Sequence, residues 1–126
     1  MINKLSKEQI IKQHKALIKQ YGGIDGIRDI GLLESALATP FQTFDGVQIY
    51  PSIQAKASQL AYGIIKNHPF VDGNKRTGIH TMLLYLGING VILDVTQQDL
   101  IDITILVADG SASRDDLLHW IISHEK

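Results

Sequence analysis

Cysteine is absent from the 126-residue sequence, and so is a marked excess of either charge. Without cysteine the chain can have no disulfide framework, zinc ribbon or thiol nucleophile, which fits a reducing cytoplasm. The formal net charge is -1 and charged residues make up 20% of the chain, so the composition does not point to direct binding of nucleic acid. It is the composition of an ordinary globular protein.

Long apolar runs are also missing. The N-terminal residues MINKLSKEQIIKQHK lack the apolar core of a signal peptide, and no run approaches the roughly 18 residues of a membrane span. We therefore expect a cytoplasmic protein with no membrane partner. The length favours one domain over residues 1–126, which is large enough for a hydrophobic core without disulfides or a structural metal.

Hydrophobic periodicity predicts a mainly α protein, a compact bundle of about six helices with short connections. Capping patterns and glycine or proline breaks set the ends of these helices. The predicted helices cover residues 7–20, from Asp29 to just before Pro40, from Ser52 to about Asn67, from about Asn74 to Gly87, 97–108 and 114–124. Residues 91–95 are predicted to form a short extended connection.

One segment predicts β structure. In FQTFDGVQIYP, residues 41–51, the pair Asp45-Gly46 lies between two short alternating arms, which is the local pattern of a β-hairpin. A lone hairpin is stable only when it packs on another element.

The stretch HPFVDGNKRTG, residues 68–78, lies between the third and fourth predicted helices. Pro69 disfavours helical geometry at the preceding residue, and the first N–H groups of the next helix lack partners within that helix. Such a helix end attracts anions, and Gly73 allows a ligand to approach the backbone closely. Asn74, Lys75 and Arg76 follow as a neutral donor and two cations, so this segment predicts a phosphate site.

His68 and Asp72 add reactive groups to the same loop. Asp72 is its one carboxylate, and beside a phosphate it is expected to hold Mg²⁺ shared with phosphate oxygens. His68 titrates near neutral pH, so it is the candidate general base for an acceptor hydroxyl. Together these groups predict transfer from a nucleoside triphosphate with the help of Mg²⁺.

Other interpretations of these residues remain open. The loop could be a plain turn and helix cap, with Lys75 and Arg76 on a solvated face. His68, Asp72 and His80 could be metal ligands, although His80 lies well inside the following helix. Neither a Walker A sequence GxxxxGK[ST] nor GxGxxG occurs, so a phosphate site here would be of another kind.

The remaining histidines predict no site of their own. His14 lies on an apolar helix face and is expected to be a core or boundary histidine with a satisfied ring. His119 and His124 are off the i, i+4 spacing of a helical metal pair, so they are expected on a polar face.

The loop resembles the signature of the Fic/Doc superfamily, which usually reads HPFx[D/E]GNGRxxR. The matching positions are His68, Pro69, Phe70, Asp72, Gly73, Asn74 and Arg76. Lys75 stands in place of the second glycine and Ile79 in place of the final arginine. Both departures resemble the Doc branch, the death-on-curing toxins of type II toxin–antitoxin systems, whose loop reads HxFxDxNKRT. The stretch YGGIDGIRDIGLLESAL at 21–37 is also similar to that branch.

This resemblance implies the Fic/Doc fold and a role for each matching residue. It implies that His68 is the catalytic base, that Asp72 binds Mg²⁺, and that Gly73, Asn74 and Arg76 bind the phosphates of ATP. Most Fic enzymes transfer AMP to a protein hydroxyl, whereas Doc-type toxins are understood to phosphorylate a threonine of elongation factor Tu. Lys75 and Ile79 favour the Doc manner of binding ATP, and a catalytically silent nucleotide-binding or interaction module is a third possibility.

The resemblance also bears on partners. The hairpin at 41–51 lies where Fic proteins carry a flap that aligns the target peptide by strand addition. The inhibitory helix of many Fic proteins, [S/T]xxxE[G/N], is missing, because no Ser or Thr has Glu four residues later. We therefore expect a Phd-like antitoxin that acts in trans through a disordered tail folding into an apolar groove.

Overall fold

The computed structural model describes residues 2–126, and over these residues the fold is the mainly helical bundle predicted from the sequence. Its helices are α1 Lys7–Tyr21, α2 Ile30–Ala38, α3 Ile53–Asn67, α4 Asn74–Ile88, α5 Gln97–Ala108 and α6 Arg114–Ser123. A 3₁₀ turn, Thr39–Phe41, and the strands β1 Thr43–Phe44 and β2 Val47–Gln48 lie between α2 and α3. None of these helices is long and apolar enough to cross a lipid bilayer.

The helix ends follow the capping patterns of the sequence. Complete capping boxes begin α1, α5 and α6, formed by the pairs Ser6 and Gln9, Thr96 and Asp99, and Ser113 and Asp116. The predicted ends were slightly wrong in three helices: α1 includes Tyr21, α4 continues through Gly87 to Ile88, and α6 ends at Ser123. Helix ends fray, so differences of one residue carry no further meaning.

The hairpin is confirmed, but it is shorter than the predicted range 41–51. Phe44 pairs with Val47 and Thr43 with Gln48, which leaves a two-residue turn. Both turn residues have positive φ, 54° at Asp45 and 78° at Gly46, as a type I′ turn requires. The first arm is short because the residues up to Phe41 belong to the 3₁₀ turn.

Helix α3 is the centre of the bundle. It packs on α2, α4, α5 and α6, and all residues from Ala55 to Ala61 are buried. Glycine allows the close approach of α4: a Cβ added at Gly78 would lie 2.8 Å from Cγ1 of Ile65. Gly78 is therefore a packing residue, although it closes the HPFVDGNKRTG stretch in sequence.

Two groups of buried apolar residues stabilise the bundle. The larger lies between α3, α4, α5 and α6, and includes Met82, Tyr85 and Leu117. The smaller consists of Ile10, Leu33, Ala36, Ile64 and Phe70. Phe70 is fully buried and comes from the loop between α3 and α4, so this second core fixes the loop to α1 and α2.

Both ends of the described chain bind the connection between α4 and α5. The backbone N–H of Asn3 donates to Oδ1 of Asn89 at 2.8 Å, and Asn89 Nδ2 donates back to the Asn3 carbonyl at 3.0 Å. At the other end, the N–H of Lys126 donates to the Ile92 carbonyl at 3.0 Å. The connection that contains the predicted extended residues 91–95 is thus held by Asn3 and by Lys126.

Candidate active site

The loop between α3 and α4 turns through two residues in the left-handed conformation. His68 ends α3 with φ 54° and ψ 52°, and Gly73 precedes α4 with φ 77° and ψ 17°. Glycine adopts this conformation without strain, whereas a residue with a side chain does so at a cost of about 1–3 kcal/mol. The predicted catalytic base therefore occupies a strained backbone position.

Contacts beneath the loop fix its shape. The rings of His14 and Phe70 stack at 3.8 Å between centroids, and Nε2 of His14 lies 2.7 Å from the Asp72 carbonyl oxygen. His14 is 1% exposed, so the prediction of a satisfied core histidine is confirmed. Its partner, however, is the backbone of the loop itself, which connects α1 directly to the candidate site.

Asn74 binds the loop from within. Its Oδ1 accepts the N–H of Phe70 at 2.9 Å, and its Nδ2 donates to the Phe70 carbonyl at 3.0 Å. The side chain is 3% exposed. Both side-chain amide atoms of Asn74 are thus engaged with Phe70. The predicted contact of Asn74 with phosphate stays a prediction, and it would be made chiefly by the backbone N–H.

The segment between α1 and α2 runs beside the loop as a second strand-like wall. Ile27 forms an antiparallel bridge with Phe70, and the N–H of Val71 donates to the Gly26 carbonyl at 3.0 Å. The N–H groups of Arg28 and Asp29 both donate to the Pro69 carbonyl. This segment belongs to the stretch 21–37, which is similar to the Doc branch in sequence. In the structure it holds the loop in place.

One cavity of about 410 Å³ brings all the predicted site residues together. The loop and the first turns of α4 form one wall, with His68, Asp72, Gly73, Asn74, Lys75, Arg76, Ile79 and His80. Helix α5 forms the other, with Gln97, Leu100, Ile101, Thr104 and Ile105. Nothing in the sequence indicated that α5 takes part, because its pattern predicts only an amphipathic helix.

The start of α4 has the features of an anion site. No side chain caps this helix, so its first N–H groups have no partner from a cap. Lys75 and Arg76 are exposed on the first turn, and the guanidinium of Arg76 lies 4.0 Å above the ring centroid of Tyr21. The aromatic face holds the cation in place by a cation–π contact while leaving its N–H groups available.

Asp72 has the properties expected of a single Mg²⁺ ligand. Its Oδ1 accepts the N–H of Gly73 at 2.8 Å and its Oδ2 accepts the N–H of Ile24 at 3.1 Å. Each oxygen keeps a further lone pair, and the side chain is exposed. Within residues 2–126 there is no cluster of three or more acidic or histidine side chains that could bind a metal without a ligand. A cation here would need phosphate oxygens and water as well, which is how Mg²⁺ is usually bound.

Ile79 and His80 line the same cavity, on the side formed by α4. Ile79 is 3% exposed and belongs to the larger core, so the site of the family's final arginine is here an apolar packing position. Burial, and secondly the charge of Arg76, lower the pKa of His80. His80 is thus biased towards the neutral form, and no cluster with His68 and Asp72 supports the alternative of a three-ligand metal site.

A buried lysine fixes the hairpin to α3. Lys56, on α3, is 2% exposed, and its Nζ donates to Oε1 of Gln48 at 2.6 Å and to the Tyr50 carbonyl. Burial, and secondly the charge of Lys4, lower the pKa of Lys56. No sequence pattern singled out Lys56, because a lysine in a helix is ordinarily exposed.

One protein-family model and two known proteins are similar to this chain in sequence. The model of the Fic/DOC family matches residues 4–86, which include the whole loop and most of α4. Over 73 residues the chain is 45% identical to "Toxin Doc" of Mycolicibacterium smegmatis, a match that covers 58% of this chain and 56% of that protein. Over 110 residues it is 33% identical to "Protein kinase doc" of Escherichia phage P1, covering 86% and 85%.

The family match covers well over half of the chain, and the similarity to the phage relative extends over 86% of it. The matched residues contain the loop, the segment that holds it and the helix end that faces the cavity. The chain therefore belongs to the Fic/DOC family.

Proposed function

We propose that this chain is a toxin that transfers the terminal phosphoryl group of ATP to a hydroxyl of a translation factor, a threonine of elongation factor Tu, and so blocks protein synthesis. The observation that carries the proposal is the cavity in which His68 and Asp72 meet the free start of α4, with Lys75 on its first turn and Ile79 behind it. The phage P1 relative is named a protein kinase, which supports phosphoryl transfer over AMP transfer.

The chain's own groups have complementary roles in this reaction. Lys75, Arg76 and the first N–H groups of α4 would bind the phosphates and stabilise their negative charge. Asp72, held by two backbone N–H groups, would bind Mg²⁺. The metal, when bound, would neutralise charge that develops on the phosphate oxygens.

His68 would act at the acceptor. Its imidazole takes the proton of the target hydroxyl while the hydroxyl oxygen forms a bond to the terminal phosphorus. The bond between that phosphorus and its bridging oxygen breaks, and ADP leaves with the electron pair. His68 then returns the proton to solvent. Most of the rate would come from positioning and charge neutralisation, which the rigid loop supplies.

The test is an incubation of the protein with Mg²⁺-ATP and elongation factor Tu, followed by intact mass measurement of the target. We expect a gain of one phosphoryl group, and none with His68→Ala. A gain of a whole AMP would establish the alternative Fic-type activity, and no gain on any translation factor would favour a catalytically silent module. Lys75→Gly, which introduces the usual Fic residue, tests whether this lysine sets the orientation of ATP and hence which group is transferred.

We also propose an antitoxin partner that binds in trans at this cavity. The α5 wall is apolar and open to solvent, with Ile101 42% and Ile105 55% exposed, and it faces the cationic loop. A disordered tail that folds into an amphipathic helix could cover both surfaces. We expect Ile105→Asp to raise the antitoxin concentration needed for half-inhibition, measured relative to that variant's own uninhibited rate. If no neighbouring gene product inhibits the purified toxin, this partner is excluded.

A further inference from the structure

His68 adopts a conformation that the rest of the molecule must impose. Apart from Asp45 in the hairpin turn, it is the one residue other than glycine with positive φ among residues 2–126. Asp45 lies in a two-residue turn that requires such a value, whereas His68 ends a fifteen-residue helix and precedes a proline. Strained backbone of this kind persists only where surrounding contacts determine it.

Arg28 supplies those contacts. Its Nε donates to the His68 carbonyl at 2.7 Å, and its Nη2 donates to the Asn67 carbonyl at 2.8 Å. Its backbone N–H donates to the Pro69 carbonyl at 2.7 Å. One residue therefore binds three consecutive carbonyl groups, with His68 at their centre.

The chemistry of arginine suits this position. The last carbonyl groups of a helix lack partners within the helix, and the helix dipole gives that end a partial negative charge. A guanidinium satisfies two carbonyls at once through a planar fork, and it carries the opposite charge. The ammonium group of lysine has no such fork, so it cannot hold both carbonyls in the same fixed relation.

From these contacts we propose that Arg28 is a positioning residue, which fixes the backbone of His68 and thereby the placement of its imidazole in the cavity. The inference rests on the proposed function in so far as it gives His68 a chemical role. Arg28 lies in the segment between α1 and α2, about forty residues away in sequence, and its side chain is exposed. It can therefore be replaced without opening the core.

The test compares Arg28→Ala and Arg28→Lys with the wild type and with a control variant, Lys12→Ala, which removes an exposed cation from α1. For Arg28→Ala we expect kcat to fall by about 10- to 100-fold, because a displaced base loses its alignment. KM for Mg²⁺-ATP should change by less than about twofold, because the phosphate site at α4 is intact. Arg28→Lys should give an intermediate kcat, and Lys12→Ala should match the wild type.

A second measurement does not depend on activity. The imidazole ¹H–¹³C signals of His68, assigned with His68→Ala, should shift in Arg28→Ala, while those of His119 on α6 should not. Unchanged His68 signals would overturn the inference, as would an unchanged kcat, or a loss of activity that only follows the folded fraction measured by circular dichroism. If the wild type transfers nothing from ATP, the proposed function fails, and the His68 signals alone then decide whether Arg28 positions this residue.

Discussion

Several side chains of the loop hold the backbone as well as taking part in the proposed chemistry. The side-chain amide of Asn74 forms two hydrogen bonds with the backbone of Phe70, and the carboxylate of Asp72 accepts two backbone N–H groups. Asp72→Asn would therefore alter a loop contact together with the proposed metal ligand. Residues that hold the loop without lining the cavity, such as His14 and Arg28, allow the two effects to be separated.

His80 makes the stability of the protein depend on pH. Its pKa is lowered, so the folded state favours the neutral ring, whereas the unfolded chain has the ordinary value of about 6.5. As pH falls below that value, the unfolded state binds the proton first, and the free energy of unfolding should decrease. Above it, the contribution of His80 is fully present. Urea unfolding from pH 8 to pH 5 should show a shallower pH dependence for His80→Gln, and identical curves would contradict the assignment.

At the scale of secondary structure, α3 organises the bundle through two contacts: it packs closely on α4, and it holds the hairpin. Both depend on single residues whose neighbours come from other elements. Gly78 faces Ile65 and the Ala61 carbonyl, and Lys56 binds Gln48 and Tyr50. Each can be tested with a matched variant in the same helix.

Gly78→Ala should lower the free energy of unfolding by about 1–3 kcal/mol, because the added methyl group would force α4 away from α3. Gly87→Ala is the control, since it lies in the same helix and a Cβ there would meet nothing within 4 Å. That variant should be neutral or more stable by about 0.5–1 kcal/mol, as alanine favours a helix over glycine. Equal effects of the two substitutions in chemical denaturation would argue against the close contact.

Lys56→Met should release the hairpin while leaving α3 folded, because methionine can fill the buried space but cannot donate to Gln48 and Tyr50. Hydrogen exchange of the amides in residues 43–48 should become faster, whereas exchange in the centre of α3 should not change. Lys66→Met, on the exposed side of the same helix, serves as the control. If hairpin exchange is the same in both variants, Lys56 does not anchor it.

The local patterns of the sequence predicted much of this architecture. Capping boxes and turn residues act over three or four positions, so they located the helix ends and the hairpin turn. The loop residues were predictable for the same reason, since their chemistry lies in one short stretch. The contacts of His14, Arg28 and Lys56 were not, because they are hydrogen bonds to residues 6 to 58 positions away that leave no periodic signal.

For the molecule as a whole, binding of Mg²⁺-ATP should stabilise the folded state. A ligand that binds only the folded protein adds about 2.7 kcal/mol at a hundredfold excess over Kd. The melting temperature should therefore rise with Mg²⁺-ATP, and the rise should be smaller for Asp72→Asn or when EDTA removes the metal. A rise that is the same with and without Mg²⁺ would show that Asp72 does not bind a shared cation.

The arrangement of the chain ends has a consequence for tethering. Asn3 and Lys126 both bind the connection that leads into α5, and Ile92, the partner of Lys126, is only five residues from Gln97 in the cavity wall. Five residues span at most about 18 Å, so a peptide fused after Lys126 through a short flexible linker could reach the cavity. Its effective concentration there would be in the millimolar range. The fold thus offers a route to a fusion protein whose cavity is blocked by a tethered peptide and is opened by cleavage of the linker.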